Sequence, residues 1–170
     1  HNANLTVAEW LARMGRIAGK PQWVDLASQA VNFAMRDLAS QDYLTYWAKG
    51  FEPSPANVGQ VDHYHACAEL RAMRRLMRHM PQRTDLANAF DRYLDYYLRN
   101  FFTPEGVPKI HPQAIYPIDI HAAAEAAYIL GEVMNEHPRA REVAESFVPW
   151  FLDNCQNQNG SFIYRIYQTE

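Results

Sequence analysis

Two segments of this sequence carry the same pattern of residues within a helical hairpin. His65-Ala66-Cys67-Ala68-Glu69 is followed 56 positions later (121 − 65) by His121-Ala122-Ala123-Ala124-Glu125. Pro81 and Pro138 interrupt the helical pattern at a similar distance after each segment. A helical repeat of about 55 to 60 residues predicts a stacked array of hairpins, either an open solenoid or a closed toroid.

Apolar residues recur with a helical period along almost the whole chain. The sequence therefore predicts an all-α fold in one domain, residues 1–170, built from three antiparallel helical hairpins at about 5–50, 61–110 and 118–168. Alanines occur around most of the circumference of the fifth predicted helix, which indicates that neighbours pack on most of its sides. A closed (α/α)6 toroid needs about twice this length, so we expect a half-toroid or a fragment of a larger protein.

The two ends of such an array would each leave an apolar helix face uncovered. The residues of these faces are Val7, Trp10, Leu11 and Met14 in the first hairpin, and Phe147, Val148, Phe151 and Leu152 in the last. Because large apolar patches usually mark interfaces, we expect a homodimer with two-fold symmetry, or a missing N-terminal half that completes the ring.

Charge and hydropathy exclude several classes of partner. The net charge is −3, so no basic excess favours nucleic acid, and no stretch approaches the roughly 18 apolar residues of a membrane span. His63 and Cys67 are spaced as metal ligands on one helix, but no third ligand accompanies them, and we predict neither a metal nor a cofactor. We expect a cytoplasmic location, and the start at His1 is also compatible with a removed signal peptide.

Three segments between residues 59 and 122 resemble motifs of one protein family. They are Gly59-Gln60-Val61-Asp62-His63-Tyr64-His65, then Phe101-Phe102-Thr103-Pro104-Glu105-Gly106-Val107-Pro108-Lys109, then Tyr116-Pro117-Ile118-Asp119-Ile120-His121-Ala122. Their order and spacing resemble those of bacterial polysaccharide-biosynthesis proteins of the (α/α)6-toroid type, which are grouped with D-glucuronyl C5-epimerase. The resemblance covers residues 58–130 and corresponds to the C-terminal half of that family.

The resemblance implies an acidic polysaccharide or oligosaccharide containing uronate as the partner. It also implies an activity of the epimerase, lyase or glycoside hydrolase kind. Asp62 with His65, and Asp119 with His121, stand at the starts of two predicted inner helices, where helix N-termini favour anions. Histidine can exchange a proton near neutral pH, and tyrosine can donate one. The predicted catalytic residues are Asp62, His65, His121 and Tyr116, and the predicted substrate-binding residues are His63, Lys109, His111, Asp119, Trp47 and Tyr164.

The same residues have structural interpretations that remain open at this point. Asp62 and Asp119 are also good helix N-caps, and His65 and His121 are also candidates for buried histidines that link neighbouring hairpins. Under that interpretation the chain is a non-catalytic helical-repeat module that binds glycan or protein, with aromatic residues such as Trp47 and Tyr164 exposed. A more distant alternative is a piece of a terpene-cyclase or prenyltransferase toroid, because Gln156, Gly160 and Phe162 resemble the repeat motif of those enzymes.

Overall fold

A computed structural model describes residues 1–168 and confirms the all-α class. The described chain contains six α-helices and one short 3-10 turn at Pro55–Asn57. The helices are α1 (Asn2–Ile17), α2 (Pro21–Leu38), α3 (His63–His79), α4 (Thr84–Asn100), α5 (Ile120–Val133) and α6 (Pro138–Cys155). Two residues each form β1 (Ile118–Asp119) and β2 (Arg165–Ile166), which pair in antiparallel register. In the described part of the chain, no helix is both long and apolar enough to cross a membrane.

The helix ends follow local turn chemistry. Pro21 and Pro138 occupy the first turns of α2 and α6, where a missing N–H costs nothing. Gly19 separates α1 from α2 with a φ of 61°, a left-handed conformation that favours glycine. The side chain of Asp119 caps α5 by accepting hydrogen bonds from two backbone N–H groups of its first turn. These signals are local, so the sequence predicts the starts of α2, α5 and α6 closely.

Successive helices form three antiparallel hairpins, as predicted. Helices α1 and α2 pack along their length, and α5 packs on α6. The pairing of α3 with α4 follows from buried hydrogen bonds, because Tyr93 donates to Glu69 at 2.6 Å while His63 bonds Tyr97 at 2.8 Å. The later residue of α3, Glu69, bonds the earlier residue of α4, Tyr93, so the two helices run antiparallel. The arrangement of hairpins into a toroid remains a prediction.

The chain divides into two compact units. Unit 1 comprises His1–Val61 and Ala68–Tyr96, and unit 2 comprises Asp62–Cys67 with the chain from Tyr97 onward. In unit 1, α1 turns a stripe of mostly small residues inward: Leu5, Ala8, Ala12 and Gly15. At Gly15 a Cβ atom would lie 2.9 Å from a methyl carbon of Val24, so glycine allows the close approach of the two helices.

The core of unit 2 is an aromatic cluster. The ring of Tyr97 contacts those of Phe101 and Phe102 at centroid distances of 5.5 and 5.4 Å, and Phe102 contacts Phe147 of α6 at 5.6 Å. The imidazole of His63 lies in the same cluster and contacts Phe101 and Phe102 edge-on or tilted. Such ring contacts add about 0.5–1.5 kcal/mol per pair beyond burial of apolar area. The cluster therefore joins the first turn of α3 to α4, the following loop and α6.

Helix α5 is less enclosed than its composition predicts. Ala122, Ala126 and Ile129 are buried, but Ala124 and Tyr128 are exposed and lie on the opposite side. The expectation that α5 is covered on most of its sides is therefore wrong for this chain. Alanine tolerates both environments, so alanine content alone does not distinguish an inner helix from a half-exposed one.

The turn after α4 packs against the backbone of α6 through Gly106. This glycine has a φ of 84°, and a Cβ atom there would lie 2.4 Å from the carbonyl carbon of Ser146. Gly160 has the same φ of 84°, but a Cβ atom there would meet nothing within 4 Å. Gly106 therefore combines a left-handed backbone with a close steric contact, whereas Gly160 has the left-handed backbone alone.

We expect Gly106→Ala to destabilise the protein much more than Gly160→Ala. The left-handed conformation alone costs about 1–2 kcal/mol for an alanine. Contact with the α6 backbone should raise the cost at Gly106 to roughly 3 kcal/mol or more, since a helix backbone cannot move aside cheaply. Urea unfolding of both variants measures the difference, and equal losses would contradict the tight packing of this turn on α6.

Candidate functional site

A groove in unit 2 brings together side chains from three separate segments. It encloses about 810 Å³, part of it open solvent. The first turn of α3, the loop before β1 and the first turn of α5 each contribute to its wall. The lining residues are Asp62, Tyr64, His65, Ile110, His111, Asp119, His121 and Ala122. Three imidazoles and two carboxylates thus face one concave surface, which is the usual setting of a binding or catalytic site.

Asp62 and His65 form a hydrogen-bonded pair at the start of α3. One carboxylate oxygen of Asp62 accepts from the backbone N–H of His65 at 3.0 Å, which makes Asp62 the N-cap of the helix. The ring Nδ1 of His65 lies 2.7 and 2.9 Å from the two carboxylate oxygens. Because a carboxylate only accepts, Nδ1 carries the proton, and a neutral ring then has its lone pair on Nε2. This is the arrangement in which an aspartate fixes the tautomer of a histidine base.

The carboxyl of Asp62 stays ionised in this environment. Burial opposes its charge, but hydrogen bonds from the ring and the backbone N–H of His65 outweigh burial and hold the pKa of Asp62 below its usual value. The nearby imidazoles of His65 and His111 add a smaller electrostatic effect in the same direction.

Asp119 at the start of α5 is engaged differently. Its Oδ1 atom accepts from the backbone N–H groups of His121 and Ala122, at 2.9 and 3.4 Å. Its Oδ2 atom accepts from the guanidinium of Arg165, at 2.6 and 3.2 Å. Burial opposes the charge on Asp119, but these bonds outweigh it and lower the pKa of the carboxyl. Both oxygens are therefore occupied in capping the helix and holding β2 in place.

The two histidines at the helix starts are not equivalent. The ring of His65 is 23% exposed and held at hydrogen-bond distance by Asp62. The ring of His121 is 63% exposed, and its Nδ1 lies 3.4 Å from Asp119, beyond a good hydrogen bond. The interpretation of His121 as a buried link between hairpins is therefore wrong. Of the two, His65 has the fixed orientation that an acid–base residue needs, whereas His121 is more exposed and contacts Asp119 only at the longer distance.

The helix ends themselves are less available to a ligand than the sequence predicts. Asp62 and Asp119 already accept from first-turn N–H groups of α3 and α5. The N–H of His63 donates to the carbonyl of Ile110. An anion in the groove would therefore be met by imidazoles rather than by these backbone groups.

His63 lies behind the groove wall and not on it. Its side chain is fully buried. Its Nδ1 lies 2.7 Å from the carbonyl oxygen of Lys109, which can only accept, so Nδ1–H is the donor. Its Nε2 must then accept from the hydroxyl of Tyr97 at 2.8 Å. The Tyr97 oxygen in turn lies 3.2 Å from the thiol of Cys67. His63 therefore cannot contact substrate as we expected, and instead ties the loop before β1 to the start of α3.

Burial keeps this imidazole neutral. Desolvation lowers the pKa of His63 from an ordinary value near 6.5 to about 4, although the Lys109 carbonyl and the charge of Asp62 act in the opposite direction. A proton on Nε2 would also leave the Tyr97 hydroxyl without its acceptor. The neutral ring is therefore the form that the folded protein requires.

The remaining predicted site residues lie at or outside the edge of the groove. Tyr164 precedes β2 and its ring contacts that of His121 at 5.6 Å. Lys109 is half-buried and contributes its carbonyl oxygen to His63. Tyr116 is exposed and does not line the groove. Trp47 belongs to unit 1, where its ring contacts Tyr46 at 5.1 Å.

Sequence reasoning missed Arg165 and the role of Tyr64. Arg165 reaches Asp119 because β2 pairs with β1, and no local pattern in the aromatic-rich tail predicts that pairing. Tyr64 follows His63 in the first motif and packs edge-on against the ring of His65 at 5.3 Å. In the sequence, only the position of Tyr64 next to His65 pointed to this role.

Among residues 1–168, no group of three or more His, Cys, Asp or Glu side chains has the geometry to hold a metal ion.

Comparison with known proteins identifies no relative of this chain. No family model matches it, and no curated protein or solved structure matches it significantly. The chemistry of the groove and the resemblance of the three motifs are therefore what bears on its function.

We expect His63→Asn to flatten the pH dependence of stability. Between pH 7 and pH 5 the unfolded chain takes up a proton at His63, whereas the folded chain does not. The free energy of unfolding therefore falls by about 2 kcal/mol over this range. The asparagine removes this loss, although it costs about 1–3 kcal/mol at pH 7 because Tyr97 loses its acceptor. Urea unfolding at both pH values measures the change.

His121→Asn is the matched control, since it removes an exposed imidazole from the same unit. This control should retain the pH dependence of the parent protein. A His63→Asn variant with the parent pH dependence would show that His63 is charged, or hydrated, in the folded state.

Proposed function

We propose that this chain forms the site of a carbohydrate-active protein that acts on acidic, uronate-containing polysaccharides, with His65 as the acid–base residue. The observation that carries the proposal is the Asp62–His65 hydrogen-bonded pair in an open groove. The groove also combines the first and the third of the segments that resemble the epimerase-like family, together with Ile110 and His111, which directly follow the second. An open groove, rather than a closed pocket, suits a polymer chain that enters and leaves along the surface.

The chemistry of a uronate fits this pair. The carbon next to the carboxylate carries a hydrogen that a neutral imidazole can remove, with the electron pair moving into the carboxylate. In the proposed step, Nε2 of His65 takes this proton and Asp62 stabilises the resulting imidazolium. Protonated His111 or His121 would offset the negative charge that develops on the carboxylate. Epimerisation and lyase elimination share this first step.

The carboxylates favour proton abstraction over glycoside hydrolysis. Hydrolysis normally uses two carboxyl groups, one as acid and one as base or nucleophile. Asp119 is held by Arg165 and by two backbone N–H groups, and its lowered pKa opposes a role as an acid. Within the proposed activities, the epimerase or lyase type is therefore the better supported.

A second candidate is a glycan-binding module without catalysis. Tyr64 and Tyr164 have exposed rings beside His65 and His121, respectively, and tyrosine rings are good stacking surfaces for sugars. Binding of the same acidic ligands without proton transfer would identify this function. The two candidates therefore differ in turnover and not in ligand.

We expect His65→Gln to abolish proton transfer while preserving ligand binding. Uronate oligosaccharides of several backbones are incubated with the protein in deuterated water, and nuclear magnetic resonance follows exchange of the hydrogen next to the carboxylate. Loss of the general base should slow exchange at least about 100-fold.

Asp62→Asn and Asp119→Asn are a matched pair of controls, because asparagine replaces aspartate well as an N-cap. Asp62→Asn should slow exchange by disturbing the tautomer of His65, whereas Asp119→Asn should affect it far less. Exchange that survives His65→Gln would contradict the assignment of the base. Binding without exchange in the parent protein would favour the non-catalytic module, and failure to bind any acidic oligosaccharide would contradict both.

A further inference from the structure

Part of the loop before β1 folds back on itself as a short arm, residues 110–115. The N–H of Ile110 donates to the carbonyl of Ile115 at 3.1 Å. His111 and Ala114 exchange two backbone hydrogen bonds, each at 3.1 Å. The arm therefore has hydrogen bonds of its own, and it carries the imidazole of His111 into the wall of the groove.

His63 ties the base of the arm to the first turn of α3. Its backbone N–H donates to the carbonyl of Ile110 at 3.0 Å, and its ring Nδ1–H donates to the carbonyl of Lys109 at 2.7 Å. On the other side of the base, the N–H of Lys109 donates to the carbonyl of Phe101 at 2.9 Å. The position of His111 relative to α3 therefore depends on the ring of His63 staying where it is.

The orientation of this ring depends in turn on the hydroxyl of Tyr97. With its proton on Nδ1, the ring of His63 has a lone pair on Nε2, and a buried acceptor of this kind needs a donor. Tyr97, which is as fully buried as His63, supplies that donor at 2.8 Å. Because the hydroxyl proton is used in this bond, the thiol of Cys67 is the donor in its 3.2 Å contact with the Tyr97 oxygen.

The hydroxyl and the ring of Tyr97 have separable roles. Tyr97 does not line the groove. Its ring contacts Phe101 and Phe102 in the aromatic cluster, and a phenylalanine at this position would keep those contacts. Replacing Tyr97 by phenylalanine therefore removes the donor to His63 while leaving the packing of the core in place.

We infer that Tyr97 is a positioning residue of the groove, acting through His63 on the arm that carries His111. Without the hydroxyl, Nε2 of His63 is a buried acceptor that has lost its donor, and the ring relieves this by turning or by admitting water. Either change weakens the bond from Nδ1 to the carbonyl of Lys109. The arm then shifts, and His111 moves relative to His65 on the opposite segment of the groove wall.

Tyr93, one helical turn earlier in α4, provides a matched control. It is fully buried like Tyr97, and its hydroxyl donates to Glu69 of α3 at 2.6 Å. That bond belongs to unit 1, whereas His63 and the arm belong to unit 2. Tyr93→Phe and Tyr97→Phe each remove one buried hydroxyl from the same helix, so the pair separates a general loss of stability from an effect on the groove.

Nuclear magnetic resonance of the imidazole groups tests the geometry without any substrate, after circular dichroism has established that both variants are folded. In Tyr97→Phe the ring signals of His111 should shift or double, whereas in Tyr93→Phe they should stay at the parent positions. Unchanged His111 signals in Tyr97→Phe, or equal changes in both variants, would overturn the inference. The parent protein provides a test that needs no variant, because its His63 nitrogen shifts should report a neutral ring protonated on Nδ1. A proton on Nε2 instead would also overturn the inference.

The effect on catalysis rests on the function proposed for the groove and is measured separately. Exchange of the uronate hydrogen in deuterated water should be at least about tenfold slower in Tyr97→Phe, because small displacements of groups around the reacting centre are costly. Tyr93→Phe should keep the parent rate at a temperature where both variants are folded. Equal slowing in the two variants would contradict a positioning role, because the loss would then follow stability. A parent protein without exchange would contradict the proposed function, and the imidazole signals would still decide whether Tyr97 positions His111.

Discussion

The buried imidazole of His63 is the contact on which the rest of unit 2 depends. It donates to the Lys109 carbonyl, accepts from Tyr97, and packs among phenylalanine rings. Its backbone N–H also bonds the carbonyl of Ile110. These bonds hold the loop before β1 against the first turn of α3. Because a buried ring with two satisfied nitrogens tolerates little movement, they also determine where His111 stands relative to His65.

The groove depends on a difference between two similar helix starts. Both begin with an aspartate followed closely by a histidine, and both aspartates cap their helix. The Oδ2 atom of Asp62 accepts a hydrogen bond from the ring of His65, whereas the Oδ2 atom of Asp119 accepts from the guanidinium of Arg165. One repeat thus holds its histidine in a defined tautomer, and the other leaves its histidine exposed. The repeat therefore explains why both helices begin with an aspartate and a histidine, and the contacts with neighbouring residues explain why the two histidines differ.

The sequence by itself determined the all-α class, the three hairpins and the positions of most helix ends. Those features depend on residues a few positions apart, such as Pro21, Pro138 and the cap at Asp119. Only the tertiary structure decided which histidine is buried, which is paired and which is exposed. His63, His65 and His121 share the same type of motif, and their environments come from Tyr97, Asp62 and the tail strand. Burial and hydrogen bonding between distant segments are not encoded in local spacing, because they depend on how those segments meet.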